Sequence, residues 1–198
     1  MPDTYLTLKS ESQGLYKEKG SKFLAYAYPV DSEQQIKEIL DTLKKQYYDA
    51  RHHCYAYILG KDGQDFRAND DGEPGHSAGD PILGQIRSNN LTNALIVVVR
   101  YFGGTKLGVG GLVTAYKTAA AEAIAANEII TAIVTEKVSF YFDYLDMNEV
   151  MRLTKALDLK IIEQYFDNRC SMTLEVRQAD HAELTDQLGN IPSVTFKD

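Results

Sequence analysis

The sequence predicts an α+β protein of two domains, residues 1–134 and 135–198, and three observations lead there. Beyond residue 134, strand and helix periodicities follow one another in the order βαββαβ, a split ferredoxin-like arrangement of about 60 residues. Residues 111–127 form an alanine-rich helix that ends just short of that boundary. Ahead of it, strand-like and helix-like runs are mixed, with no internal repeat and no low-complexity segment.

In chain order, Lys22 to Tyr28 is strand-like. Asp31 or Ser32 then caps a helix from Ser32 to Tyr48, whose Ile36, Ile39, Leu40 and Leu43 recur at helical spacing. Cys54 to Leu59 is a strand, and KDGQ at 61–64 is a hairpin turn in which the Asp-Gly pair supplies positive dihedrals. Pro81 starts a short helix that continues through Leu83 and Ile86. The aliphatic run from Ala94 to Phe102 has no alternation, as in a strand buried on both faces. The helix over 111–127 is broken only by Lys117, Glu122 and small polar residues, which predicts burial on most of its surface.

The domain boundary falls near Thr131 to Glu136. The second domain then reads as a strand (Glu136–Tyr144), a helix (Asp146–Leu157, with Val150, Leu153 and Leu157 in step) and a strand (Leu159–Phe166). A tight turn at Asp167–Arg169, a strand (Cys170–Arg177), a helix (Asp180–Leu188) and a last strand (Ile191–Lys197) complete it.

The chain has 21 basic and 28 acidic residues, a net charge of -7, which excludes a uniformly basic nucleic-acid binder but not a local patch. The first 134 residues hold 14 basic and 16 acidic side chains and the rest hold 7 and 12, so an anion site belongs in the first domain. The longest aliphatic run, ALIVVV, falls far short of the roughly 18 apolar residues of a membrane span. The first residues carry no signal-peptide pattern, so a cytoplasmic protein with Cys54 and Cys170 reduced is expected, with no membrane partner.

Three segments carry candidate chemistry. After the buried strand come Gly103, Gly104, Gly108, Gly110 and Gly111, five glycines in nine residues, opening a helix beside Arg100 and Lys106. Free amide groups at a helix start can cradle a phosphate, although the spacing is neither a Walker loop nor a dinucleotide fingerprint. A tight strand-to-helix turn accounts for the same glycines equally well. Asp70, Asp71, Glu73 and His76 fall within seven residues, a possible acidic site for acid–base work or a divalent ion. Their spacing matches no metal template, and bonding within their own loop is the favoured reading, so no metal and no cofactor are assigned. In ARHHCYAYIL, His52 and His53 point to opposite faces of a strand and cannot easily share an ion, and although Cys54 shares a face with His52 as an activated thiol would, no third partner is identifiable and a structural role is favoured. Tyr26, Tyr28, Tyr55 and Tyr57 on strands could stack bases or simply pack.

EKGSKFLAYAYPV, ARHHCYAYIL, NDDGEPGHSAGDPILGQI and VVVRYFGGTKLGVGGLVTAY resemble, in order and separation, the signature blocks of the YigZ/Impact family from Glu18 to Ala126. Residues 136–198 resemble the small C-terminal domain of its bacterial members. The resemblance implies a first domain with the fold of a small-subunit ribosomal protein's second domain and of GHMP kinases. It implies a ferredoxin-like second domain similar to late domains of elongation factor G. The resemblance implies regulation of translation through partners of a stress kinase, as in eukaryotic relatives, or, as expected of the bacterial members, which lack an established reaction, binding to nucleic acid or the ribosome. The family pattern has Ser-Gly-Thr after DDGEP, where this chain has Gly75, His76 and Ser77, so it assigns no role to His76.

The leading expectation is a translation-associated protein binding RNA or the ribosome. Its groove would consist of Lys17, Lys19, Lys22, Arg51, Arg100 and Lys106, with the glycine loop against phosphates. The alternatives are an enzyme on a small phosphorylated or nucleotide ligand, for which no catalytic constellation is identified, and a module that binds translation-factor proteins.

Overall fold

The computed structural model describes residues 3–167 and 169–197, so Asn168 of the expected 167–169 turn lies outside the described residues. The chain forms two compact units, one from Thr4–Ala132 and the other from Ile133 onward together with Asp3. This is the two-domain α+β architecture that the sequence predicts.

The first unit contains, in order, β1 (Thr4–Leu8), β2 (Ser12–Glu18), β3 (Ser21–Pro29), α1 (Glu33–Gln46), β4 (His52–Leu59), β5 (Asp65–Asn69), α2 (Gly79–Ser88), β6 (Ala94–Tyr101), α3 (Gly108–Ala125) and β7 (Ile129–Ile133). Five strands pair antiparallel in the order β2-β3-β6-β4-β5, and β1 pairs with β7 in a separate ribbon. Central β6 turns Ala94, Ile96 and Val98 toward α2 and α3, and Leu95, Val97 and Val99 toward α1. That double burial is why its sequence has no alternation. Each such Val, Leu or Ile contributes about 1.5–3 kcal/mol on leaving water.

α1 is capped as expected, the Ser32 hydroxyl accepting from the Gln35 amide at 3.4 Å. Its Ile36 and Leu43 pack over Tyr26 and Tyr57. α3 departs from expectation in two ways. It begins at Gly108, so Gly110 and Gly111 belong to its first turn rather than to the loop before it. It also buries one stripe (Leu112, Ala115, Tyr116, Ala119, Ala120, Ala123, Ile124) rather than most of its surface. The alanines serve close approach: a methyl group on Gly14 of β2 would come within 2.4 Å of the Ala123 amide nitrogen. The turn between β4 and β5 also differs, with positive φ at Gly60 and Gly63 and none at Asp62.

The second unit contains β8 (Thr135–Phe142), α4 (Met147–Ala156), β9 (Lys160–Tyr165), β10 (Cys170–Arg177), α5 (His181–Gly189) and a two-residue β11 (Thr195–Phe196), shorter than the strand expected from Ile191. Its sheet runs β11-β8-β10-β9, all antiparallel, the strand order of a split βαβ unit. Phe140, Phe142, Met172 and Leu174 pack with Val150 of α4 and Leu184 and Leu188 of α5 on one face. Both cysteines are free and buried. No described helix is long and apolar enough to cross a membrane.

Candidate functional site

Alternation along β4 and β6 decides which predicted residues meet. The pairing of His52 with Arg100 sets both at the end of the face covered by α2 and α3. There Arg100 Nη1 donates to Glu73 Oε1 at 2.5 Å, and the Tyr116 hydroxyl donates to the same oxygen at 2.8 Å. Only 7% of the arginine side chain and 4% of the glutamate side chain are exposed, so each charge requires the other. Phe23 and Phe102 flank the guanidinium, their ring centres 5.4 and 5.7 Å away.

Arg51, Arg100 and Lys106 line one cleft of about 470 Å³, together with the first turn of α3 at Gly108 and Val109. Phe102, Leu107, Leu112 and Pro74 give it apolar walls, and its single carboxylate, Glu73, is already held by Arg100. The first turn of α3 has no acidic residue and no side-chain cap, so its amide groups are open to an anion. Arg100 Nε, though buried, has no hydrogen-bond partner among the described residues. The arrangement can hold one phosphate-sized anion against an apolar wall.

Gly103 packs its backbone on the β2–β3 turn so closely that a methyl group there would lie 1.9 Å from the Gly20 carbonyl carbon. Gly104 and Gly108 adopt positive φ, at 88° and 72°. The same alternation keeps Lys17 and Lys22 out of the cleft. Phe23 faces Arg100, so Lys22 and its partner Lys17 project from the opposite face, while Lys19 sits in the turn at φ 45°. The predicted six-cation groove is therefore a three-cation cleft.

The predicted acidic site does not converge. Asp70 accepts from the amides of Ala78, Gly79 and His76 at 2.8–3.0 Å and caps α2 from outside the helix. Burial alone would raise the Asp70 carboxyl, but those three amides outweigh it and hold it below the usual range. Asp71 accepts from the His53 amide at 2.6 Å, and Glu73 is the counterion of Arg100. His76 turns to Asp80 at 2.6 Å, which raises its imidazole above the ordinary value. Among the described residues no group of three or more His, Cys, Asp or Glu is placed to hold a metal ion.

The Cys54 thiol lies 3.0 Å from the Asp70 carbonyl oxygen and 3.3 Å from the Tyr116 hydroxyl. Burial pushes it well above the ordinary thiol range, in keeping with the packing role favoured from the sequence over an activated thiol. Tyr26 and Tyr57 are buried beneath α1, with Tyr28 and Tyr55 packed beside them, so these four tyrosines form a core and not a stacking platform. Tyr116 and Phe102 were not foreseen as site residues. The only sequence signal for Tyr116 is a tyrosine among alanines.

Fold and cleft together define a two-unit α+β protein with a cation-lined cleft at the start of a sheet-covering helix. The Impact N-terminal domain family matches residues 19–124, and the chain belongs to that family. It is 31% identical over 191 residues to an IMPACT family member of Haemophilus influenzae, covering 92% of each chain. It is 38% identical over 124 residues to the IMPACT family member YvyE of Bacillus subtilis, a match covering 63% of this chain and 57% of that one. A crystal structure of a hypothetical protein superposes with a TM-score of 0.79 at 26% identity, covering 99% of this chain and 97% of that one.

Proposed function

We propose that this chain is a cytoplasmic, translation-associated protein that binds RNA, free or on the ribosome, by seating a backbone phosphate in the Arg51–Arg100–Lys106 cleft. The observation that carries the reading is Arg100. It is a buried guanidinium with one edge fixed by Glu73 and its Nε unpartnered, at a cleft shared with the uncapped start of α3. Fixing one edge orients the other, so a phosphate meets donors already in place. Phosphate contacts of this kind set position and not sequence, so binding is tolerant of sequence.

Filter retention of a labelled single-stranded RNA across a salt series tests the reading. One seated phosphate predicts a log–log salt slope of about -0.7, and hence about 3-fold weaker binding at 200 mM than at 50 mM salt. Paired Arg51→Ser and Lys106→Ser substitutions flatten that slope. Retention that does not respond to salt overturns the proposal.

A second reading, a small phosphorylated or nucleotide ligand, is favoured by the size of the cleft and by its apolar wall of Phe102, Leu107 and Leu112. Millimolar ATP with magnesium raises the melting temperature if this holds, and leaves it unchanged if it does not.

A further inference from the structure

The second unit carries a cation cluster that the cleft does not use. Its strands turn Phe140, Phe142, Met172 and Leu174 to the helices, so Tyr141, Ser171, Thr173 and Tyr165 face the other way, onto an open sheet face. The register sets Tyr141 and Tyr165 on either side of Ser171, about 10 Å apart at ordinary strand spacing. Tyr165 is 70% exposed.

The charges of this unit are segregated. The open face and its rim carry Lys137, Lys160, Arg169 and Lys197 against Glu163, Glu175 and Asp167. The helices and the single turns leading into them carry Asp146, Glu149, Asp180, Glu183 and Asp186 against Arg152 and Lys155. With Arg177, its partner Asp3 and Asp143 counted as well, the sheet face is close to neutral, and the acid excess of the unit lies toward the helices.

Tyr141 organises that face. Arg169 and Lys197 both sit on its ring, 4.6 and 4.5 Å from the centre, and Arg169 Nη2 also donates to the Thr195 hydroxyl at 2.5 Å. Neither cation makes an ion pair among the described residues. Two like charges held at one ring repel each other, and an anion bound over the exposed edge of that ring lessens the repulsion. Beside them lies a depression of about 310 Å³, floored by Ser171 and Thr173, walled by Tyr165 and Lys197, and edged by Glu163 and Gln164.

We propose that this sheet face is a second binding surface, for single-stranded nucleic acid. A phosphate meets Arg169 and Lys197, and the next base enters the depression and stacks on Tyr165. Tyr141 acts as a positioning residue that holds the two cations up. The occupant is single-stranded because only unpaired bases offer their faces to an exposed ring. An acidic peptide would satisfy the cations but would leave Tyr165 and the depression unused. The hydroxyl floor and the Glu163 edge can bond base edges of any identity. The surface is independent of the cleft in the first unit and shares no residue with it.

The test is fluorescence anisotropy of a labelled 12-nucleotide polyuridine with the full chain. Four variants are compared with the unsubstituted protein: Tyr165→Ala, Tyr165→Phe, Arg169→Ser with Lys197→Ser, and Arg51→Ser with Lys106→Ser. All the substituted side chains lie at the surface, and circular dichroism confirms the fold. Tyr165→Ala is expected to weaken binding about 10-fold and Tyr165→Phe to restore it, since stacking needs only the ring. The Arg169/Lys197 pair is expected to shrink the log–log salt slope by about 0.7. Unchanged binding in both the Tyr165→Ala and Arg169/Lys197 variants overturns the surface, and the Arg51/Lys106 variant separately reports on the cleft. Binding that depends on Arg169 and Lys197 but not on Tyr165, and that polyglutamate displaces, assigns the face to acidic peptides and also overturns the proposal.

Discussion

One ion pair in each unit shows what burial does to a charge. In the first, Arg100 and Glu73 meet at 2.5 Å with almost no exposed surface. In the second, Lys160 and Glu175 meet at 3.0 Å with side chains 70% and 28% exposed. Water solvates the second pair whether or not it forms, so its attraction is nearly cancelled. The first pair has no such alternative, and each partner's absence strands the other. A buried cation must be matched before it can be aimed at a ligand, whereas a surface cation only needs to be held up, as Tyr141 holds Arg169 and Lys197.

The largest expected break in that contrast is Glu73→Ala. It leaves Arg100 buried and unpaired and deprives the Tyr116 hydroxyl of its acceptor, so urea denaturation should register a loss of about 3–5 kcal/mol in the first unit. A loss under about 1 kcal/mol means that Arg100 has swung into water, and the cleft geometry with it.

A smaller effect is expected from pH. Burial holds the His53 imidazole below its ordinary value despite the Asp71 carboxylate nearby. The unfolded chain therefore binds the proton more tightly, so this stability is present above about pH 6.5 and is lost as pH falls through the lower folded value. Urea midpoints measured between pH 7 and 5 should decline for the native chain and flatten for His53→Gln. A slope untouched by the substitution assigns the loss to other groups.

Smallest of all, Lys160→Ala should change stability by no more than about 0.5 kcal/mol, despite a bond short enough to hold the Glu175 carboxyl below its ordinary range. A loss as large as that of Glu73→Ala would erase the distinction between the two pairs.

The sequence made the elements with one-sided or two-sided apolar patterns legible. ALIVVV announced a strand covered on both faces, and Val138, Phe140 and Phe142 one covered on a single face. It concealed β1 and β2, and showed β5 only through the hairpin turn before it. In β2, Gly14 is required by contact with α3, and a glycine does not read as a strand former. β5, DFRAN, is an edge strand with little to bury. Among site residues, Arg51, Arg100 and Lys106 were visible as cations, but their convergence depends on β4 pairing with β6 and on a glutamate 27 positions before Arg100. Local spacing contains neither fact. The same pairing excluded Lys17 and Lys22, because a side chain one residue along a strand belongs to the other face.

The ribbon of β1 and β7 brings together the strands that open and close the first unit, and Lys9 reinforces it by bonding the backbone and side chain of Glu128. A body whose entry and exit are side by side can be spliced into a surface loop of an unrelated host, or cut and rejoined at another turn, without rethreading its sheet. Evolution can therefore move this unit between proteins as a cassette.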